Sequence, residues 1–394
     1  MQKPAQVTNR RNLYLLAFSL VIVMLGFGMV IPILPFYIEL FHASGSAFGL
    51  LVAIAALTEF LFGPIWGGIS DRTGRKPILM IGMFGYGLSM LLFGLSTELW
   101  MLFASRALSG VLSSAALSTA MAYIGDSTSD KERGGGMGIL GAAAGAGTVI
   151  GPGIGGLLAY GSLSVPFFAA AGMSLLSLGL ITLLLPESLP PEKRDRWDNK
   201  LLFINFKPLL RALKSPIGFL LFLAFFATLG TSNFEAIFSL YMVKKFDLSP
   251  EHIGIVLTVV GVISFIGRGL LTGAFTKRWG EVLVIKGSLL AIALGFIFLL
   301  LANSYTWVLL ATGFFSFAVT FLRPSIHSLT SQRSTVGQGA SLGLSNSFVS
   351  LGRVVGALSA GALFDFRMEF PYLIGAGVLF SGLLASLVWL KQGN

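Results

Sequence analysis

The chain has 394 residues, 55% of them hydrophobic and 11% charged, with a net charge of +10, three histidines and no cysteine. A soluble domain carries about 25% charged residues, so the composition excludes a soluble globular fold and points to a polytopic membrane protein. The lack of cysteine excludes disulfides and thiolate chemistry, and three histidines with no HExxH spacing argue against a metal centre.

Apolar runs of about 20 residues, enough to cross a bilayer as a helix, recur twelve times. They lie near 12–36, 46–70, 77–96, 99–123, 134–160, 164–185, 215–243, 250–274, 281–301, 305–329, 336–362 and 370–390. None alternates as a barrel strand would, so the predicted fold is an all-α membrane protein of twelve transmembrane helices. In span 1, Leu25-Gly26 is followed by Pro32 and Pro35. Proline has no amide N–H to continue a helix, so these two are expected to kink its outer end. Span 2 carries Glu59 and runs into Gly67-Gly68-Ile69-Ser70-Asp71-Arg72-Thr73-Gly74-Arg75-Lys76. A turn this charged cannot lie in hydrocarbon and must sit at a membrane surface. Gly67 and Gly74 permit a tight turn and close helix approach. Asp71 is suited to accept bonds from a helix N-terminus or from an arginine of the facing half.

Span 4 holds Leu102, Arg106 and Ser109-Gly110, and an arginine inside a span is usually functional or paired. Span 5 holds Gly147, Gly151-Pro152 and Gly155-Gly156. Small residues every fourth position give a smooth face for close packing, and Pro152 bends the helix. The longest polar break, 186–214, divides the spans into an N-terminal bundle (1–185) and a C-terminal bundle (215–394). Within it Trp197, Phe203 and Phe206 interleave with Lys and Arg, which fits either a short amphipathic helix on the inner leaflet or a solvated linker. Span 7 carries Glu235, and Arg268, Arg323 and Arg353 are further charges within spans. Glu39, Glu98, Asp365 and Glu369 fall outside the spans and are expected to be solvated.

The basic residues follow topology. Arg10 and Arg11, Arg72 to Lys76, Lys131 and Arg133, the 193–214 cluster, Lys277, Arg278 and Lys286, Arg333 and Lys391 fall on one side, against Lys244, Lys245 and Arg367 on the other. The positive-inside rule then puts both termini in the cytoplasm. Span 1 is longer than a signal-peptide core, has no small-residue cleavage site after it, and is expected to be retained. An internal repeat appears at a shift of about 205 residues. Gly147 and Gly151 match Gly352 and Gly356, Gly156 matches Gly361, and one residue further out Gly67, Arg72 and Gly74 match Gly273, Arg278 and Gly280. Two parallel copies of one unit imply a transporter whose substrate binds near the midplane between halves.

Four of these patterns resemble the major facilitator superfamily. The turn at 67–76 follows G-x-[LI]-x-D-R-x-G-R-K, which in the family latches the cytoplasmic side of the outward-facing state. Leu102, Arg106, Ser109 and Gly110 resemble the motif whose arginine is linked to proton transfer, with Ser109 where glutamine is common and Leu112 where glycine is common. The 147–156 stretch matches the antiporter motif G-x-x-x-G-P-x-x-G-G in full, and 25–35 matches the L-G-x5-P-x-x-P pattern of twelve-span drug:proton antiporters. Nearly end to end, the chain looks most like the quinolone and multidrug efflux pumps of Gram-positive bacteria, through Gly49–Ala53, Phe234–Tyr241, Leu322-Arg323-Pro324 and Gly361–Asp365. Those pumps carry an acidic residue in span 10 where this chain has Thr320, and a neutral polar residue where it has Glu59.

The resemblance implies a monomeric bacterial cytoplasmic-membrane protein that expels amphipathic, often cationic drugs in exchange for protons by alternating access, with no cofactor. Glu235 and Glu59, with Arg106, are the expected proton-coupling groups, because a carboxylate held between helices can be protonated in one state and ionised in another. Glu59 could instead pair with a buried arginine. Phe27, Tyr37, Phe226, Phe234, Phe238 and Tyr241, together with Glu59 and Glu235, are the expected walls of the substrate pocket, since amphipathic cations need apolar and aromatic surfaces with few acidic groups. Export of a narrow substrate such as tetracycline, a sugar or a metabolite is the alternative on the same fold. A membrane enzyme or ATP-driven pump is disfavoured, since no GxxxxGK[ST] motif and no nucleophile–base cluster is present.

Overall fold

The computed structural model describes residues 10–128, 130–194, 211–334 and 338–390. The 195–210 stretch, with Trp197, Phe203 and Phe206, lies outside them. Thirteen α-helices are taken in chain order: α1 Arg10–Val30, α2 Leu34–Leu40, α3 Gly45–Thr73, α4 Arg75–Gly94, α5 Leu99–Ser127, α6 Asp130–Leu158, α7 Val165–Leu184, α8 Gly218–Phe246, α9 Pro250–Ile266, α10 Thr272–Leu300, α11 Tyr305–Arg333, α12 Gln338–Phe366 and α13 Phe370–Trp389. A single π-turn, Gly267–Leu271, joins α9 to α10. No strand occurs among the described residues.

Eleven of the helical stretches are long and apolar enough to cross a membrane, and one of them, Pro250–Leu300, is 51 residues long. A straight helix of that length would reach about 77 Å, far beyond about 30 Å of hydrocarbon. It is broken at Gly280 (φ 73°, ψ 155°), so it makes two crossings and eleven becomes twelve. The break falls between the predicted spans 250–274 and 281–301. At the outer end of the first crossing, α1 stops at Val30 and α2 starts at Leu34, the interruption expected from Pro32 and Pro35. Side-chain caps fix two further starts: Ser249 accepts from the His252 N–H, and Ser304 from the Trp307 N–H. Asp247 ends α8 in the left-handed conformation.

The chain divides into two compact units. The first is Met1–Leu34 with Leu57–Ile204; the second is Pro35–Ala56 with Asn205–Asn394. The N-terminal part of α3 therefore belongs with the second unit and its C-terminal part with the first.

In the first unit α1 packs on α6 and α7, and α4 on α5 and α7. The antiporter-motif glycines make the first of these contacts. A Cβ at Gly147 would lie 2.6 Å from the Val21 carbonyl oxygen, and one at Gly151 would lie 2.6 Å from that of Leu25 and 2.8 Å from the Gly28 Cα. Pro152 sits against Gly28 in turn. Two motifs that are separate in sequence thus form one helix–helix seam. Leu112, where the family commonly has glycine, packs into the space left by Gly85.

The second unit repeats that seam. α12 packs on α8, and a Cβ at Gly352 would lie 2.5 Å from the Phe225 carbonyl oxygen, one at Gly356 2.7 Å from the Ser232 Cβ. The sequence repeat Gly147/Gly151 to Gly352/Gly356 is therefore a repeat of a packing solution. Other pairs in this unit are α10 with α11 and α13, α8 with α13 and α11, and α9 with α11.

Candidate functional site

The α3–α4 turn of the first unit is a saturated charge cluster. Gly74 has φ 107° and ψ 161°, a region essentially restricted to glycine. It reverses the chain between α3 and α4 and places Arg75 inward, with only 6% of its surface exposed. The Arg75 guanidinium meets Asp71 at 2.5 Å and Asp126 at 2.7 Å, and its Nη1 donates to the Ser70 hydroxyl at 2.6 Å. Asp71 was expected to serve a helix N-terminus or an arginine of the facing half; in this structure it pairs with Arg75 of its own turn instead. The N-terminus of α4 is held instead by Glu187, whose carboxylate accepts from the Arg75 N–H (2.8 Å) and the Lys76 N–H (3.1 Å), as well as from Ser188 and Leu189. An anion at that position satisfies orphan donors and the helix dipole together. Lys76 Nζ donates to the Thr182 carbonyl at 2.8 Å. Gly67 has open space around it, so within this structure only Gly74 is needed for the shape of the turn.

Higher in the same unit lies the first intramembrane charge. Arg106 on α5 is 5% exposed and interacts electrostatically with Tyr86 on α4 and Glu59 on α3. Its guanidinium carbon stands 5.9 Å from the centre of the Phe27 ring, a cation–π distance. The Arg106 Nε and the Tyr86 hydroxyl have no hydrogen-bond partner among the described residues. Phe27 and Glu59 are exposed. Three predicted site residues, Phe27, Glu59 and Arg106, thus come together.

In the second unit the Glu235 carboxylate, mid-helix on α8, is half exposed and lies 3.9 Å from Arg323 Nη2 on α11. The predicted aromatic walls separate from it. Tyr37, Phe234, Phe238 and Tyr241 are each under 5% exposed. They are core: Phe234 packs on Phe238 and Phe315 (ring centres 4.6 and 4.3 Å), and Tyr241 on Tyr372 (4.6 Å). Phe226 is nine residues from Glu235, half a revolution around the helix. It lines a groove with α13 instead. Thr320, the residue in place of the family's span-10 acid, is fully buried and donates to the Ser316 carbonyl at 2.8 Å.

Two acids expected to be solvated are engaged at the outer end of the second unit. Glu39 pairs with Lys244 at 2.9 Å. The Asp365 carboxylate accepts from the N–H of Gly45 (2.6 Å) and of Ser46 (2.8 Å) and from the Ser46 hydroxyl, capping α3. Gly49 and Gly361 let α3 and α12 close on each other there; a Cβ at Gly49 would lie 2.5 Å from the Ala357 carbonyl oxygen.

The family profile described as Major Facilitator Superfamily matches the chain twice, over residues 16–229 and 220–393. Multidrug resistance protein 2 of Bacillus subtilis (strain 168) is 31% identical over 390 residues, covering 98% of each chain. Quinolone resistance protein NorA of Staphylococcus aureus is 30% identical over 381 residues, covering 96% of each. Among solved structures, that of the nucleoside transporter NupG superposes with a TM-score of 0.78 at 15% identity, covering 97% of this chain and 99% of that one, a likeness of fold alone. The charged turn, the paired glycine seams, the twelve crossings and these two near-full-length relatives lead to one statement: this chain belongs to the Major Facilitator Superfamily.

Proposed function

We propose that the protein expels amphipathic drugs, many of them cationic, from the cytoplasm of a bacterium across its cytoplasmic membrane. Inward proton flow drives the export, and the protein works as a monomer with both termini inside. The observation that carries the coupling is Glu235: a mid-span carboxylate, half exposed, with a guanidinium 3.9 Å away. An intramembrane carboxylate open to water can exchange protons, and a charge at that depth is costly unless it has a task or a partner. Protonation cancels the attraction to Arg323 and frees both groups to change partners; deprotonation restores it. Glu59 and Arg106 offer the corresponding pair in the first unit. The names of the relatives, multidrug and quinolone resistance proteins, support the substrate class.

The test is efflux of ethidium and of tetramethylrhodamine from cells expressing the protein, before and after a protonophore. Gradient-dependent efflux that Glu235→Gln abolishes, with normal amounts of protein in the membrane, is the expected result. Efflux of either dye that persists without the gradient, or survives in Glu235→Gln, overturns the coupling role. No efflux of either dye overturns the multidrug reading in favour of a narrow substrate.

A further inference from the structure

The second unit carries more mid-span positive charge than its one mid-span acid can balance. Arg268 lies on the π-turn, Arg323 on α11 and Arg353 on α12, and helix packing brings the three toward one level. A Cβ at Gly267 would lie 2.6 Å from Thr320 Cγ2, so Arg268 leaves its helix beside Thr320, and Arg323 follows one turn on. Gly352 and Gly356 press α12 against α8 between Phe225 and Ser232, which sets Arg353 between two backbone contacts, about two turns of α8 from Glu235. Arg323, His327 and Thr228 border one small void with Val349, a turn from Arg353. Arg323 is close enough to Arg268 and Arg353 to interact with both.

Partners are short. Glu235 is the one carboxylate near the middle of a span among the described residues of this unit; Asp247, Glu251, Glu281, Asp365 and Glu369 sit at helix ends or turns. Its distance to Arg323 is 3.9 Å, long for a charge-assisted hydrogen bond. Arg323 Nη2 and Arg353 Nε are buried with no hydrogen-bond acceptor among the described residues. Guanidinium groups left in this condition at mid-membrane depth are costly, and planar forks of this kind match carboxylates and phosphates. The relatives' acidic residue that would offset them in span 10 is here Thr320, whose hydroxyl is spent on its own helix.

We propose that Arg268, Arg323 and Arg353 receive an anionic group of the transported molecule. The preferred cargo is then an amphiphile bearing a carboxylate or sulfonate beside its apolar body, above all a zwitterion whose cationic end is left for Glu235, and plain lipophilic cations are poorer ligands. The inference rests on the drug-export reading and narrows its substrate class. Unlike that reading, it can be tested with no gradient present.

The experiment is equilibrium binding to the purified full chain in nanodiscs, using tetramethylrhodamine, which has a free carboxylate, and its methyl ester, which is a cation on the same skeleton. The wild type is expected to bind the acid about tenfold more tightly than the ester, the worth of one good charge-assisted contact. Arg353→Gln and, separately, the exposed Arg268→Gln should erase that preference by weakening the acid alone, while Arg353→Lys keeps part of it. Equal binding of acid and ester by the wild type overturns the proposal. So does an equal loss of both probes in the Arg variants, which would assign the arginines to structure. If Arg353→Gln does not yield a monodisperse protein, Arg268→Gln decides by the same criteria. Failure of proton coupling in the efflux assay leaves this outcome unaffected, and the reverse holds as well.

Discussion

The two arginine clusters differ in how completely they are answered. Around Arg75 one guanidinium faces two carboxylates and a hydroxyl within 2.7 Å, and the adjoining helix start is held by a third carboxylate. Around Arg323 two further arginines, Arg268 and Arg353, stand near enough to interact with it, and its one carboxylate partner, Glu235, is 3.9 Å away. The first arrangement is closed and holds a turn in shape. The second is open, and a group that is charged, part-exposed and short of partners is positioned to take one from outside.

That contrast is exposed to thermal unfolding of five variants as purified protein. The largest effect is expected from Arg75→Leu, which orphans Asp71, Asp126 and Ser70 at once. Breaking a buried ion pair costs about 3–5 kcal/mol, reduced to about 2–3 kcal/mol because the two carboxylates are partly exposed. A drop in melting temperature no larger than that of an ordinary surface change would mean the cluster is not structural. Next comes Gly74→Ala, where backbone strain of about 1–3 kcal/mol adds to a clash, since the new Cβ would lie 2.9 Å from Glu187 Cδ. Gly280→Ala has open space around it and should show the strain alone, so a larger loss at Gly280 than at Gly74 would contradict the geometry. Glu187→Ala should cost about 1–2 kcal/mol, the usual worth of a helix cap. The smallest effect belongs to Arg353→Leu. Removing a buried charge that lacks acceptors should leave the melting temperature unchanged or raise it, and a clear fall would show that Arg353 is already well paired.

Much of the architecture was legible in the chain because bilayer crossing demands long apolar helices, and the basic loops mark their inner ends. The break between Thr272 and Glu281 could be placed from Lys277, Arg278 and the glycine after them. The partners of Arg75 could not: Asp126 and Glu187 lie 51 and 112 residues away, and nothing in a short motif encodes that distance. Glu187 left one signal, an acid at the end of span 6 when the N-terminus of α4 needed an anion. The aromatic residues failed for a different reason. A helix apolar on every side has no periodicity to tell its core face from its cavity face, so Phe234, Phe238 and Tyr241 read as pocket walls although they are filler. Asp365 read as solvated because its acceptors' task, the start of α3, is 320 residues away.

Gly74 and Gly280 share more than a place in the sequence repeat. Their backbones adopt nearly the same shape, φ 107° and ψ 161° against φ 73° and ψ 155°, although the surroundings have diverged: Gly74 is crowded by Glu187 and Arg194, and Gly280 has no neighbour within 4 Å. One backbone shape, open to almost no residue but glycine, thus makes the same reversal in both copies of the repeat, in a crowded setting and in an open one alike.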